Sequence, residues 1–97
     1  MPKQPVTARI RNFDEVAQGY TREQAQAEAR RCLQCPSPQC EEGCPVGIDI
    51  PTFILYLRDG DLKRSLEILK AKNALPAICG RVCPQEEQCQ MYCVLGK

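Results

Sequence analysis

The sequence predicts an all-α fold, and three observations lead there. Runs of good helix formers follow capping residues at Thr21, Asp49 and Asp61. No stretch alternates apolar and polar residues as a half-buried strand does. The remaining chain is irregular and holds two blocks of four cysteines, "CLQCPSPQCEEGCP" from Cys32 and "CGRVCPQEEQCQMYC" from Cys79. With 97 residues the chain makes one domain at most, and so small a core usually needs a staple such as a metal or disulfides.

Residues 1–20 read as an arm in front of a helical body over 21–97. Pro2 and Pro5 disfavour an early helix, and Asn12 is placed to cap a short helical turn ending near Gly19. Phe13 and Val16, three apart, are expected to tack the arm onto the body. "TREQ" at 21–24 is a capping box, and the helix it opens is expected over 22–33, with Cys32 at its end and Arg30 and Arg31 in the last turn, where cations suit the helix dipole.

Pro36, Pro38, Gly43, Pro45 and Gly47 make the next segment a rigid loop. Pro51 suits the first turn of a helix introduced by Asp49 or Ile50, with Ile50, Phe53, Ile54 and Leu57 on one face and Gly60 as its stop. Asp61 caps "LKRSLEILKAK", where Leu62, Leu66 and Leu69 fall at helical spacing and read as core. These two helices are expected to form an antiparallel hairpin. "ALPAICG" continues as a short helical turn, Pro84 breaks it, and a last turn from about Gln85 to Met91 brings in Cys89 and Cys93.

Composition narrows the chemistry. Thirteen basic and twelve acidic residues leave a formal charge of +1, so there is no electrostatic case for nucleic acid or an anionic membrane. The longest apolar run, Phe53–Leu57, is far short of a membrane span, and the N-terminus has no signal-like apolar stretch, so a cytoplasmic location is expected. Thiols in that compartment stay reduced, which disfavours a disulfide framework. No general-base pair, activated nucleophile or phosphate loop stands out. Glu41, Glu42, Glu86 and Glu87 flank the cysteines and read as solvent-facing acids.

Eight thiols and no histidine leave zinc and iron–sulfur chemistry. Zinc sites favour paired Cys-x-x-Cys or histidine ligands, and only Cys32–Cys35 has that spacing. A ferredoxin run is C-x₂-C-x₂-C-x₃-C-P. Cys32, Cys35, Cys40, Cys44 and Pro45 depart from it only by two extra residues before the third cysteine. The spacing therefore favours two [4Fe–4S] clusters, which use all eight of Cys32, Cys35, Cys40, Cys44, Cys79, Cys83, Cys89 and Cys93. A zinc- or cluster-stapled docking domain without a redox role is the alternative.

Three stretches, "GYTREQAQAEARRCLQC", "CEEGCPVGIDIPTFI" and "LPAICGRVCPQEEQC", carry a family resemblance across residues 19–93. The chain resembles the N-terminal iron–sulfur domain of the NADPH-dependent glutamate synthase small subunit. It is also similar to the corresponding domains of dihydropyrimidine dehydrogenase and of the NADPH-binding subunit of electron-bifurcating ferredoxin:NADP oxidoreductases. The resemblance implies a helical ferredoxin-like fold with two cysteine-rich cluster-binding loops. It also implies a ligand set: Cys44, Cys83, Cys89 and Cys93 on one cluster, and Cys32, Cys35 and Cys40 on the other. In the better-known relatives the latter takes a non-cysteine fourth ligand from a later segment, which these 97 residues do not include. Cys79 is then a candidate fourth ligand or a spare thiol, whereas a simple Cys-Pro analogy would instead send Cys83 to the other cluster.

The function implied is an electron relay, not catalytic alone, inside an NAD(P)H-dependent oxidoreductase. Single electrons would pass between a flavin and a second redox centre, such as a glutamate synthase large subunit. No G-x-G-x-x-G occurs, so FAD and NAD(P)H are expected on a partner flavoprotein or on a C-terminal domain outside this sequence. Residues 1–31 carry six basic and four acidic groups, and this positive arm with helix 22–33 is the expected docking face.

Overall fold

In a computed structural model that describes residues 1–96, helices α1 (Val6–Arg9), α2 (Arg22–Ala29), α3 (Gln39–Glu42), α4 (Ile50–Arg58), α5 (Leu62–Lys72), α6 (Pro76–Val82) and α7 (Cys89–Tyr92) follow in order. Two 3-10 turns, Gln85–Glu87 and Val94–Gly96, flank α7. The described residues include no strand beyond an isolated antiparallel bridge between Lys3 and Ala17. The fold is all-α, as the patterning predicts.

Side chains close the first turns of the three longest helices. In α2 the Thr21 hydroxyl accepts the Gln24 amide at 3.2 Å, and the Gln24 carboxamide accepts the Thr21 amide at 2.9 Å, completing the capping box. Asp49 accepts the Thr52 amide of α4 at 3.3 Å, and Asp61 accepts the Arg64 amide of α5 at 3.1 Å. Between α4 and α5 the chain reverses at Gly60, whose φ of +84° is the left-handed conformation glycine tolerates best. The orphan carbonyls ending α4 are taken by α2: Arg22 donates to the Gly60 carbonyl at 3.0 Å and Gln26 to that of Arg58 at 3.5 Å. A cation beside a helix C-terminus is also electrostatically favourable. These contacts fix α2 across the α4–α5 hairpin.

The hairpin buries a different face of α5 from the one expected. Leu62 and Leu66 are each 46% exposed, and the buried residue is Ser65, whose hydroxyl donates to the Phe53 carbonyl at 2.8 Å. A small residue at the contact lets the helices approach closely, and the hydrogen bond offsets burial of the hydroxyl. Ala29 and Ile48 are the buried apolar residues among those described. The accessible surface of 7174 Å² exceeds the roughly 5600 Å² expected of a folded monomer this size. Protein contacts alone pack this chain loosely.

Two local expectations are corrected. The helix expected over 22–33 ends at Ala29: the Arg31 and Cys32 amides donate to the Glu28 and Ala29 carbonyls in a tight turn, and Gln34 then adopts φ +53°. Arg30 and Arg31 thus lie beyond the last helical turn, with Arg31 paired to Glu28, and Cys32 lies in the loop. Good helix formers lost here to the need to redirect the chain toward the cysteine loop. In the arm, the helical turn follows Pro5 instead of Asn12. Asn12 accepts the Asp14 amide at 2.9 Å and donates to the Ala8 carbonyl at 3.0 Å, so it closes α1 and opens no helix. Such local bonds compete with helix formation. Phe13 is fully exposed and tacks nothing. Gln4 and Gln18 amides close the arm on itself, donating to Val16 and Pro2 carbonyls at 2.8 Å, and the Arg81–Glu15 pair at 2.7 Å links it to α6.

Candidate metal centre

The first cysteine block is less irregular than its prolines and glycines suggest. After Pro38 the chain makes one helical turn, α3, which carries Cys40 and ends at Gly43. Gly43 is there for space. A Cβ on it would lie 2.5 Å from the Tyr92 ring and 2.7 Å from the Gln88 carbonyl oxygen, closer than real contacts allow. Its absence lets α3 pack on α7, and that contact joins the two cysteine blocks.

In the second block Cys79 and Cys83 lie one turn apart along α6, where positions i and i+4 share a face. The turn expected over Gln85–Met91 is split into the 3-10 turn Gln85–Glu87 and the short helix α7, which begins at Cys89 and runs into Cys93. Pro84 removes the amide that a continuous helix would need.

All eight cysteines are free thiols and partly buried. Sulfurs of the two blocks raise one another's pKa. Burial pushes the Cys40 thiol up, and the Cys93 and then Cys32 sulfurs add to the shift, against backbone amides of Glu41 and Cys40. Cys83 is pushed up by burial, then by Cys79, Cys44 and Cys89. Cys89 is pushed up by burial, opposed by the Gln90 amide, and raised further by Cys44 and more weakly by Cys93. Thiols crowded this way resist ionisation; a bound cationic centre reverses that balance, because a coordinating thiol is deprotonated outright.

Cys32, Cys35, Cys40, Cys89 and Cys93 line one cavity of about 790 Å³, walled on the other sides largely by apolar residues including Ile50, Phe53, Ile54 and Leu57. The face of α4 read as core therefore lines this cavity. Among the described residues no three Cys, Asp or Glu side chains close on one point as a single-ion site requires. The thiols stand around a space, a donor set that suits a multi-iron cluster, which is held by cysteine thiolates.

Thiols of the two blocks intermingle: Cys40 is influenced by Cys93 and Cys32, Cys83 by Cys79, Cys44 and Cys89, and Cys89 by Cys44 and Cys93. Glu41 is not a plain solvent-facing acid. Its carboxyl is partly buried against Asp49, and burial, a hydrogen bond to Asp49 and its charge push the Glu41 pKa up, with Lys72 opposing. Gln34 and Gly43 also shape the site, and nothing in its residue type marks Gln34 as special. The glycine immediately before Cys44 was the available hint of a close backbone approach.

Comparison with known proteins agrees with the cysteine chemistry. The family described as dihydropyrimidine dehydrogenase domain II, 4Fe-4S cluster, matches residues 9–97. The chain is 39% identical over 95 residues to the glutamate synthase [NADPH] small chain of Escherichia coli, covering 98% of this chain, and 39% identical over 94 residues to that of Halomonas elongata, covering 97%. It is 40% identical over 81 residues, 84% of this chain, to the NAD-dependent dihydropyrimidine dehydrogenase subunit PreT of Salmonella typhimurium. The chain spans about one fifth (20%) of the length of each of these relatives. With a match over nearly its whole length and thiols gathered around a shared cavity, this chain belongs to the dihydropyrimidine dehydrogenase domain II family of 4Fe–4S electron-transfer domains.

Proposed function

We propose that the chain is a one-electron relay carrying two [4Fe–4S] clusters, one on Cys32, Cys35 and Cys40 and the other on Cys44, Cys83, Cys89 and Cys93, with Cys79 as a candidate fourth ligand of the former. The observation that carries this reading is that Cys32, Cys35, Cys40, Cys89 and Cys93 line one cavity while α3, packed on α7, brings the two cysteine blocks together. Eight thiols match the ligand number of two cysteine-bound cubanes. When bound, such clusters supply one-electron exchange. The protein's part is to hold deprotonated thiolates at set positions, to wall one centre with α4 and limit its access to water, and to keep the two centres adjacent through the α3–α7 contact.

The flavin and NAD(P)H would be held by a partner or by further chain. This is supported by the printed names of the relatives, an NADPH-dependent small chain and an NAD-dependent subunit, each about five times longer than the aligned region. Ile10 and Phe13 on the arm are exposed and available as a contact to such a flavoprotein. Deleting residues 1–20 is expected to weaken that association and leave iron content intact; unchanged binding would make the arm a tether only.

Iron and acid-labile sulfide counts on anaerobically reconstituted protein test the assignment. About eight irons per chain are expected, with a visible band that bleaches with dithionite. Cys93→Ser should remove about four irons, Cys40→Ser about four from the other centre, and a loss of about four in Cys79→Ser would make that thiol a full ligand. A full complement in Cys79→Ser would make that thiol a bystander. A colourless, zinc-loaded chain would overturn the relay.

A further inference from the structure

Gln34 sits between two cysteines of the first block and is the sole non-glycine residue with positive φ among those described, at +53°. A left-handed backbone is unfavourable for a residue with a side chain and persists where surrounding contacts demand it. Here the contacts are two. The Gln34 side-chain nitrogen lies 3.1 Å from the Pro51 carbonyl oxygen and 3.5 Å from Cys32 Sγ. A carboxamide nitrogen has two N–H groups, and these two acceptors take both. Pro51 lies in the first turn of α4, the helix whose apolar face walls the cavity. One end of the arrangement is therefore anchored on a regular element, and the other points a donor at a ligand sulfur.

We propose that Gln34 is a positioning residue that raises the reduction potential of the cluster held by Cys32. The inference rests on the assignment of Cys32 as a ligand of a [4Fe–4S] centre. Addition of one electron, supplied in the test by dithionite, increases the negative charge shared by the ligand sulfurs. An N–H aimed at Cys32 Sγ stabilises that more negative form, and hydrogen bonds to sulfur are among the determinants of cluster potential. The Pro51 carbonyl holds the amide nitrogen in place, so the donor does not have to be recruited on reduction. The same tie makes the two cysteine sites unequal, since no Gln or Asn side chain donates to a sulfur of the second set among the described hydrogen bonds.

The test is a redox titration of the full reconstituted chain, followed by EPR, with iron counted in every sample. Gln34→Met keeps the length and removes both donors. Gln34→Asn keeps an amide and suits a left-handed backbone, but draws the nitrogen back by one methylene. In each variant the one-electron reduction constant of one cluster should fall about tenfold, equivalent to about 59 mV, with iron content and the other cluster unchanged. Gln34→Glu, which turns the donor into an anion, should lower it further. Unchanged potentials in loaded Gln34→Met and Gln34→Asn would overturn the proposal. So would loss of iron from both, because Gln34 would then serve assembly and not potential. A wild-type chain that takes up no iron would instead count against the cluster reading itself.

Discussion

The hairpin half and the cysteine half of this molecule are stabilised in different ways. Thr21, Asp49 and Asp61 each accept a backbone amide at the start of α2, α4 and α5. The helices that carry or adjoin the remaining cysteines have no such closure: Pro38, Leu75 and Gln88 precede α3, α6 and α7 without a side-chain cap. α2 is tied to the α4 C-terminus by two side chains, whereas the cysteine half is joined by the close approach of α3 to α7 and by thiols facing one another. A region with caps and interlocking helices can hold its shape from local sequence. A region of one-turn helices, each too short to be stable alone, needs what its side chains bind.

Removing the iron should widen that difference most. After chelation, amide hydrogen exchange over 32–47 and 79–93 should accelerate on the order of a hundredfold more than over 50–72, because metal binding supplies folding free energy to the former. Uniform acceleration across both regions would show that the halves unfold as one.

Gly43→Ala should be the next largest effect. The added methyl meets the Gln88 carbonyl, which is backbone and cannot swing aside, so α3 must move off α7. A cost of about 1–3 kcal/mol is expected from such overpacking, with loss of iron from both sites, since the contact joins the blocks. Denaturant midpoints and iron counts together check this; normal iron in the variant would mean that the α3–α7 contact is not what assembles the sites.

Asp61→Ala should act on the other half alone. Loss of the cap on the Arg64 amide should cost about 1 kcal/mol in chemical denaturation and leave iron content unchanged. If iron fell in parallel, the hairpin and the cluster sites would be energetically coupled and the contrast between them blunted.

The smallest change has the opposite sign. Gly80 lies inside α6 with open space where a Cβ would be and without a positive φ. Gly80→Ala should stabilise the loaded protein by about 0.5–1 kcal/mol, by lowering the entropy of the unfolded chain and favouring helix. A lower midpoint in thermal denaturation would reveal a close neighbour present only when the clusters are bound.

The sequence by itself determined the features that depend on near neighbours. The capping box at Thr21, the Asp49 and Asp61 caps, Pro51 in a first turn and the reversal at Gly60 each involve residues within a few positions, and all are as read. Eight thiols without histidine pointed to cluster chemistry for the same reason, as donor type and spacing are local properties. Tertiary structure decided what depends on remote partners. Leucine periodicity in α5 could not tell which stripe meets α4, and the contact selected Ser65 because small residues permit close helices. Helix propensity would have carried α2 through Cys32, but the chain turns at Gln34, whose amide finds Pro51 seventeen residues away. How the two cysteine blocks meet depends on Gly43 packing against Tyr92 and Gln88, a contact between residues more than forty positions apart that no spacing within either block encodes.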